Sequence, residues 1–392
     1  MTADLTQLGI LLFLAALVAV LTRRLRLPYT VGLVLAGMGL MVLHLPVRLQ
    51  LSKDLIFFVF LPPLVFEAAF CMEWRDFRRE LPVVGLLATV GVLLAAGVVA
   101  AGMHVVLAWA WGSAAVFGML IAATDPVSVI ALFKELGIRG RLRLLLEAES
   151  LLNDGTAAVG YVAVVGALAG QPRGVLAVVA DLVVAVGGGA AVGAAVTYGF
   201  MQLAGRAGDR LVEITLTVLS AYASFFVAEY CHCSGILASL AAGLVVGHSP
   251  VVGAKSADCR RTLEHFWEFA AFVANSLIFL LIGVQVAQLQ LHGWWLSAAA
   301  AIGFVMLGRA AAIYPLCALF DRSRLRVEGA HQHVLFWGGL RGALALALAL
   351  ALPPDLPRRE AIVTLTFAVV AFSVFAQGLA MAPLLRRLGQ AP

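Results

Sequence analysis

Charge in this chain is almost confined to short connections between apolar stretches, and those stretches are long enough to cross a membrane. A helix needs about 20 residues to span a hydrocarbon core about 30 Å thick. Lipid offers no hydrogen bonds, so a crossing segment must satisfy its own backbone, which a helix does. The stretches fall at 6-22, 29-45, 54-72, 81-106, 109-134, 147-169, 174-204, 211-230, 233-248, 264-288, 294-319, 333-352 and 360-385. Only Trp109-Ala110-Trp111-Gly112 separates the fourth from the fifth, so twelve spans stand as an alternative to thirteen. Apolar residues make up 62% of the chain and charged ones 12%, about half the charge of an ordinary soluble domain, roughly 25%. The expected fold is an all-α polytopic membrane protein with about 13 transmembrane helices.

Thirteen spans sort the basic residues onto one side. Alternate connections and the tail hold Arg23, Arg24, Arg26, Arg75, Arg78, Arg79, Lys134, Arg139, Arg141, Arg143, Arg206, Arg210, Lys255, Arg260, Arg261, Arg322, Arg324, Arg326, Arg386 and Arg387, which is 20 of 27 Lys and Arg. The opposite connections hold Arg48, Lys53, Arg173, Arg358 and Arg359. By the positive-inside rule the N-terminus lies outside and the C-terminus in the cytoplasm, across the inner (plasma) membrane. The net charge of +5 belongs to membrane borders, not to a nucleic-acid groove. The first stretch lacks a basic n-region and a small-residue cleavage site, so it reads as a retained helix. Cys71, Cys231, Cys233, Cys259 and Cys317 form no disulfide framework, and two thiols one residue apart at Cys231 and Cys233 converge poorly on a metal.

Two spans carry their own interruption. Pro126 cannot donate a backbone hydrogen bond and clashes with the preceding turn, while Thr124 and Asp125 can serve the freed backbone groups. Gly338-Gly339-Leu340-Arg341-Gly342 sets a guanidinium among glycines and marks a second opening. Seven spans separate the two breaks, an odd offset that reverses direction. Spans one to six and eight to thirteen therefore read as inverted repeats, the arrangement of secondary transporters that bind their substrate at the midplane between discontinuous helices.

Carboxylates inside a membrane span are costly and mark function. In span six, Ser150 and Asp154 lie four residues apart, as do Glu149 and Asn153, so all four share a broad helical face. Asp154 offers anionic oxygens, Ser150 a neutral one, and the break at Thr124 backbone carbonyls; hard oxygen donors suit a small cation. One carboxylate balances one positive charge, which favours sodium. Desolvation raises the pKa of such a carboxyl and a bound cation lowers it, so it holds a proton or a metal ion in turn. Competition for Asp154 couples two opposite fluxes, provided the empty charged form crosses poorly.

The remaining charges need partners. Arg341 keeps its proton, and the expectation is that it pairs with Glu149 while Asn153 bridges them. Asp125 is placed between half-helix ends, where its carboxylate meets the positive end of one half. Glu67 in span three either reaches the ion through water or pairs elsewhere. Arg309 in span eleven either neutralises an acidic partner or snorkels toward the headgroups.

In order and spacing, three segments resemble the CPA1 group of sodium/proton antiporters, in particular prokaryotic NhaP-type exchangers: Ala123-Thr124-Asp125-Pro126, Glu149-Ala-Glu-Ser-Leu-Leu-Asn153-Asp154-Gly155-Thr156 and Gly338-Gly-Leu-Arg341-Gly-Ala343. Leu61-Pro-Pro-Leu-Val-Phe-Glu67, Ser234-Gly-Ile-Leu-Ala238, Asn275-Ser-Leu-Ile-Phe-Leu-Leu-Ile-Gly283 and Gly308-Arg-Ala-Ala-Ala-Ile-Tyr-Pro315 support the match, which covers almost the whole chain. The resemblance implies one exchanger membrane domain, residues 1-392, in which two discontinuous helices cross. It implies a homodimer whose transport core (about 54-169 and 264-385, excluding 294-319) moves like an elevator against a dimerisation part that includes about 6-45 and 174-230. It assigns the ion to Asp154, Ser150 and the Thr124 backbone, with Glu67 contributing through water and Glu149, Asn153 and Arg341 in support. The Asn153-Asp154 pair resembles that of electroneutral members.

The expected activity is thus exchange of cytoplasmic sodium or lithium for external protons, with no cofactor and no enzymatic step. Potassium/proton exchange at the same site is the alternative, and a cation channel with a continuous polar path is a second. Nucleotide-driven pumping is disfavoured because no Gly-rich phosphate loop occurs. An organic-anion carrier would need Arg341 available beside a cavity.

Overall fold

The computed structural model describes residues 2–25, 27–43, 51–171, 174–207, 209–249, 257–289 and 293–390; Arg26, Arg48, Arg173 and Lys255 of the charge pattern lie outside them. Among the described residues every regular element is helical. Nine helical runs among the described residues are long and apolar enough to cross a membrane. The other four predicted stretches hold shorter apolar helices, Tyr29–Val42, Leu55–Phe70, Trp111–Ala122 and Gly235–His248. The chain is a polytopic, all-helical membrane protein.

Two compact units divide it. One comprises Met1–Ile56, Pro82–Asn153 and Ser276–Pro392, and the other Phe57–Leu81 and Asp154–Asn275.

The first unit contains both interrupted helices. Trp111–Ala122 ends before an extended Ala123, and helix resumes at Val127–Leu136 with Pro126 as its cap residue. Proline pushes the residue before it out of helical geometry and supplies no N–H, so the ladder stops where the sequence places it. The second interruption lies between Gly329–Gly338 and Ala343–Leu350. Here the glycines are needed for close approach. A Cβ on Gly339 would stand 2.9 Å from Cζ of Arg309, and one on Gly342 would overlap the Asp125 carboxylate.

In the second unit, Gly243 and Gly247 of the Gly235–His248 helix lie against the backbone of Phe66 and Phe70. Small residues let helices pack backbone to backbone where lipid supplies no hydrophobic drive. Phe66, Phe70 and Trp267 form the apolar centre there, and the Trp267 Nε1–H donates to Thr217 Oγ1 at 3.1 Å. Glu229 accepts the Gly235 N–H at 3.0 Å and closes the start of that helix.

Among the described residues three helices widen locally into π turns, at Leu55–Phe60, Leu87–Gly91 and Ser373–Gln377. The first runs into Pro62-Pro63, whose rings disturb the ladder behind them. In the second, the Thr89 hydroxyl donates to the Gly85 carbonyl at 2.6 Å and competes with the backbone for it. The third contains no proline.

Candidate functional site

The helix Arg141–Leu168 carries the acidic signature, and its inward residues are almost wholly withdrawn from the surface: Glu149 is 1% exposed, Ser150 2% and Asn153 0%. They meet Thr124 at the first break. Thr124 N–H donates to Asn153 Oδ1 at 3.3 Å, and Asn153 Nδ2 donates to Thr124 Oγ1 at 2.6 Å. The Ser150 hydroxyl donates to the Thr124 carbonyl oxygen and lies 3.1 Å from Thr124 Oγ1. An intact helix would spend the Thr124 carbonyl on its own ladder. The break frees it, and Ser150 comes to it. Two oxygens that the sequence reading selected, the Thr124 carbonyl and the Ser150 hydroxyl, are therefore neighbours, with the Thr124 hydroxyl beside them.

The expected Glu149–Arg341 pair does not form. Arg309 takes its place: Nη1 donates to Glu149 Oε1 and Nη2 to Oε2, both at 2.8 Å, in a bidentate buried pair. Arg309 also donates to the Leu335 carbonyl from Nη2 at 2.9 Å and from Nε at 3.3 Å. Asn153 does bridge, but from Glu149, whose Oε1 accepts its amide at 3.0 Å, to Thr124. Of the two readings of Arg309, neutralising an acid holds and snorkelling does not. Arg341 is turned instead toward the first break, where Nη1 donates to the carbonyls of Ala122 at 3.0 Å and Ala123 at 3.2 Å. A helix ends with carbonyls that lack partners, and a guanidinium at that end meets both the hydrogen-bond need and the negative end of the dipole.

Asp125 exceeds its expected role. Its N–H donates to the Leu340 carbonyl at 2.7 Å, fastening one break to the other. Its Oδ1 accepts the Val127 N–H at 3.0 Å and its Oδ2 the Ala343 N–H at 3.4 Å. One carboxylate therefore caps two half-helices, where the sequence reading allowed it one. Both breaks are held by side chains the other supplies.

Asp154 follows Asn153 directly in the same helix and is buried, one helical turn beyond Ser150. Glu147, two turns earlier in this helix, is held by Arg143, Nε to Oε1 at 2.8 Å. Glu67 is partly buried on the helix Leu61–Phe70. Among the described residues no group of three or more His, Cys, Asp or Glu side chains is arranged to hold a resident metal ion. Sequence reasoning missed Leu335 and a second set of groups at the C-terminal end of Gly329–Gly338, treated below; carbonyl acceptors carry no side-chain signature to find them by.

Three comparisons place this arrangement among known proteins. A family model described as sodium/hydrogen exchanger, transmembrane, matches residues 10–387. The chain is 36% identical over 366 residues to the Na(+)/H(+) antiporter ApNhaP of Aphanothece halophytica, covering 93% of this chain and 70% of the relative. It is 32% identical to the Na(+)/H(+) antiporter NhaH of Halobacillus aidingensis, over 98% of each. The sodium proton antiporter MjNhaP1 of Methanocaldococcus jannaschii has a similar fold, with a TM-score of 0.80 at 20% identity over 100% of this chain and 99% of that one. The interrupted helices, the acidic signature helix and these matches agree: the chain belongs to the sodium/hydrogen exchanger family.

Proposed function

We propose that this protein exchanges cytoplasmic sodium or lithium for external protons. It is a secondary transporter, not an enzyme. The observation that carries the reading is the contact between the first break and the signature helix, where Ser150 and Asn153 bind the oxygens of Thr124. A cation entering this cluster would break the hydrogen bond from the Ser150 hydroxyl to the Thr124 carbonyl and take both neutral oxygens as ligands, and Asp154, on the same helix, would supply the negative charge. With Glu149 committed to Arg309, Asp154 is the carboxyl assigned to alternate between proton and ion, assisted by Glu67 through water.

The same reading sets thirteen crossings, counting the four shorter helices, as inverted repeats, with the N-terminus outside and the C-terminus in the cytoplasm. It places the protein in the inner membrane as a homodimer, whose transport core, about 54-169 and 264-385 without 294-319, shifts against a part that includes 6-45 and 174-230. Sodium and lithium are preferred to potassium because the relatives are sodium antiporters by name.

The test is proton flux in proteoliposomes on adding sodium, lithium or potassium over a range of pH. Sodium-driven flux is expected in the wild type and none in Asp154→Asn, which keeps the side chain's size but cannot trade a proton for a cation. Appreciable flux in that variant sinks the assignment. Potassium flux matching that of sodium selects the potassium/proton alternative.

A further inference from the structure

The interrupted helix Gly329–Gly338 ends inside the protein, where its last carbonyls need donors. Leu335 O receives Arg309, and Gly338 O receives the Leu340 N–H at 2.8 Å. Trp337 O receives the side-chain amide of Gln377, from Nε2 at 3.1 Å. The contact is reciprocal, because the Trp337 indole N–H donates to the Gln377 backbone carbonyl at 3.2 Å. Gln377 Nε2 also lies 3.5 Å from Sδ of Met306, one turn before Arg309 on the helix Trp295–Ala318. Gln377 is 3% exposed.

Gln377 closes the π turn Ser373–Gln377. A π turn leaves a carbonyl poorly served within the helix and swings the side chains beyond it, and such turns concentrate at functional sites. Here the Gln377 amide reaches the end of the broken helix, while its carbonyl also accepts the indole N–H.

We infer that Gln377 is a positioning residue for ion exchange: it fixes the cut end of Gly329–Gly338 so that the Leu335 carbonyl stays in register with Arg309. Arg309 in turn orients Glu149, which holds Asn153, which holds Thr124. The inference rests on the reading of the Thr124 cluster as part of the ion site. Loosening Gln377 therefore shifts the geometry of the cation donors without touching them.

The experiment is sodium-driven exchange in proteoliposomes for wild type, Gln377→Leu and Gln377→Glu, with thermal unfolding in detergent measured alongside. Gln377→Leu keeps the volume and removes the donor, leaving a buried carbonyl unserved. It is expected to raise the apparent KM for sodium roughly five- to tenfold in protein that remains folded. Gln377→Glu separates positioning from bulk stability. A neutral carboxyl can donate to Trp337 O whereas a carboxylate repels it, so the KM of this variant is expected to approach the wild-type value toward acid pH and depart from it toward alkaline pH. An unchanged KM in folded Gln377→Leu overturns the inference. Should that variant not fold, a Gln377→Glu profile parallel to the wild type at every pH overturns it instead. Absence of sodium-driven flux in the wild type would count against the exchange reading itself, a separate failure.

Discussion

Glu149 takes its guanidinium from a residue 160 positions away, and the pair is buried on both sides, with side chains 2% and 7% exposed. Removing one member of such a pair leaves an uncompensated charge and costs about 3–5 kcal/mol, whereas replacing both with apolar residues often costs little. Arg309→Met should therefore lower the unfolding midpoint sharply, and adding Glu149→Leu should recover most of the loss. Thermal unfolding of the single and double variants checks this, and an additive double variant would show the two to be uncoupled. Arg341→Ala should cost less, since it strands two carbonyls rather than a charge. Single-residue chemistry selected Glu149, Asn153, Ser150 and Thr124 correctly as neighbours because helical spacing and one break bring them together. It paired the acid with Arg341 because that arginine sits in a visible opening. Nothing local to Arg309 distinguishes a buried partner from a snorkelling one, because the answer lies in a helix contact distant in sequence.

Interrupted helices expose donors at one end and acceptors at the other, and here Asp125 serves the donors of two elements while Arg341 serves the acceptors of one. An N-cap is worth typically about 1 kcal/mol. Asp125→Asn keeps an acceptor for one helix but turns an amide N–H toward the other, so it should lose one cap; Asp125→Ala should lose both and destabilise about twice as much. Unfolding midpoints of the two variants test this, and equal losses would refute the double cap. Gly342→Ala should displace the same carboxylate by overlap with its new methyl and lower stability by about 1–3 kcal/mol, the usual cost of overpacking. It should add little in an Asp125→Ala background. The breaks were legible because Pro126 and the Gly338–Gly342 cluster act on their own backbone. The π turn at Ser373–Gln377 was not, since neither its composition nor its period departs from helix, and its partner Trp337 lies in another element.

At the scale of the molecule, the apolar stretches coincide with the helices, so the all-helical, multi-pass architecture could be read from hydropathy. The division into two compact units could not, because it cuts the signature helix between Asn153 and Asp154, within one uninterrupted helix. Charge accounting then bears on how the protein is driven. Arg309 and Glu149 are paired with each other, and Asp125 and Arg341 are engaged at helix ends, so the proposed exchange assigns the change of charge to Asp154. If Asp154 carries one proton one way and one sodium ion the other, both crossing forms bear the same net charge. Voltage then gives no push. Were a whole charge displaced per cycle, about 100 mV would add roughly 2.3 kcal/mol to the driving force. Proteoliposomes clamped at such a voltage should accordingly exchange sodium for protons at the rate seen without it, and voltage alone should move no protons. Competition for one carboxyl makes a second demand on the same vesicles: below the pKa of the site the apparent KM for sodium should rise about tenfold for each unit of falling pH, as mass action requires when only the ionised form binds the cation. A KM indifferent to pH across that range would mean that proton and sodium occupy separate seats, and coupling would then have to come from a conformational link rather than from Asp154.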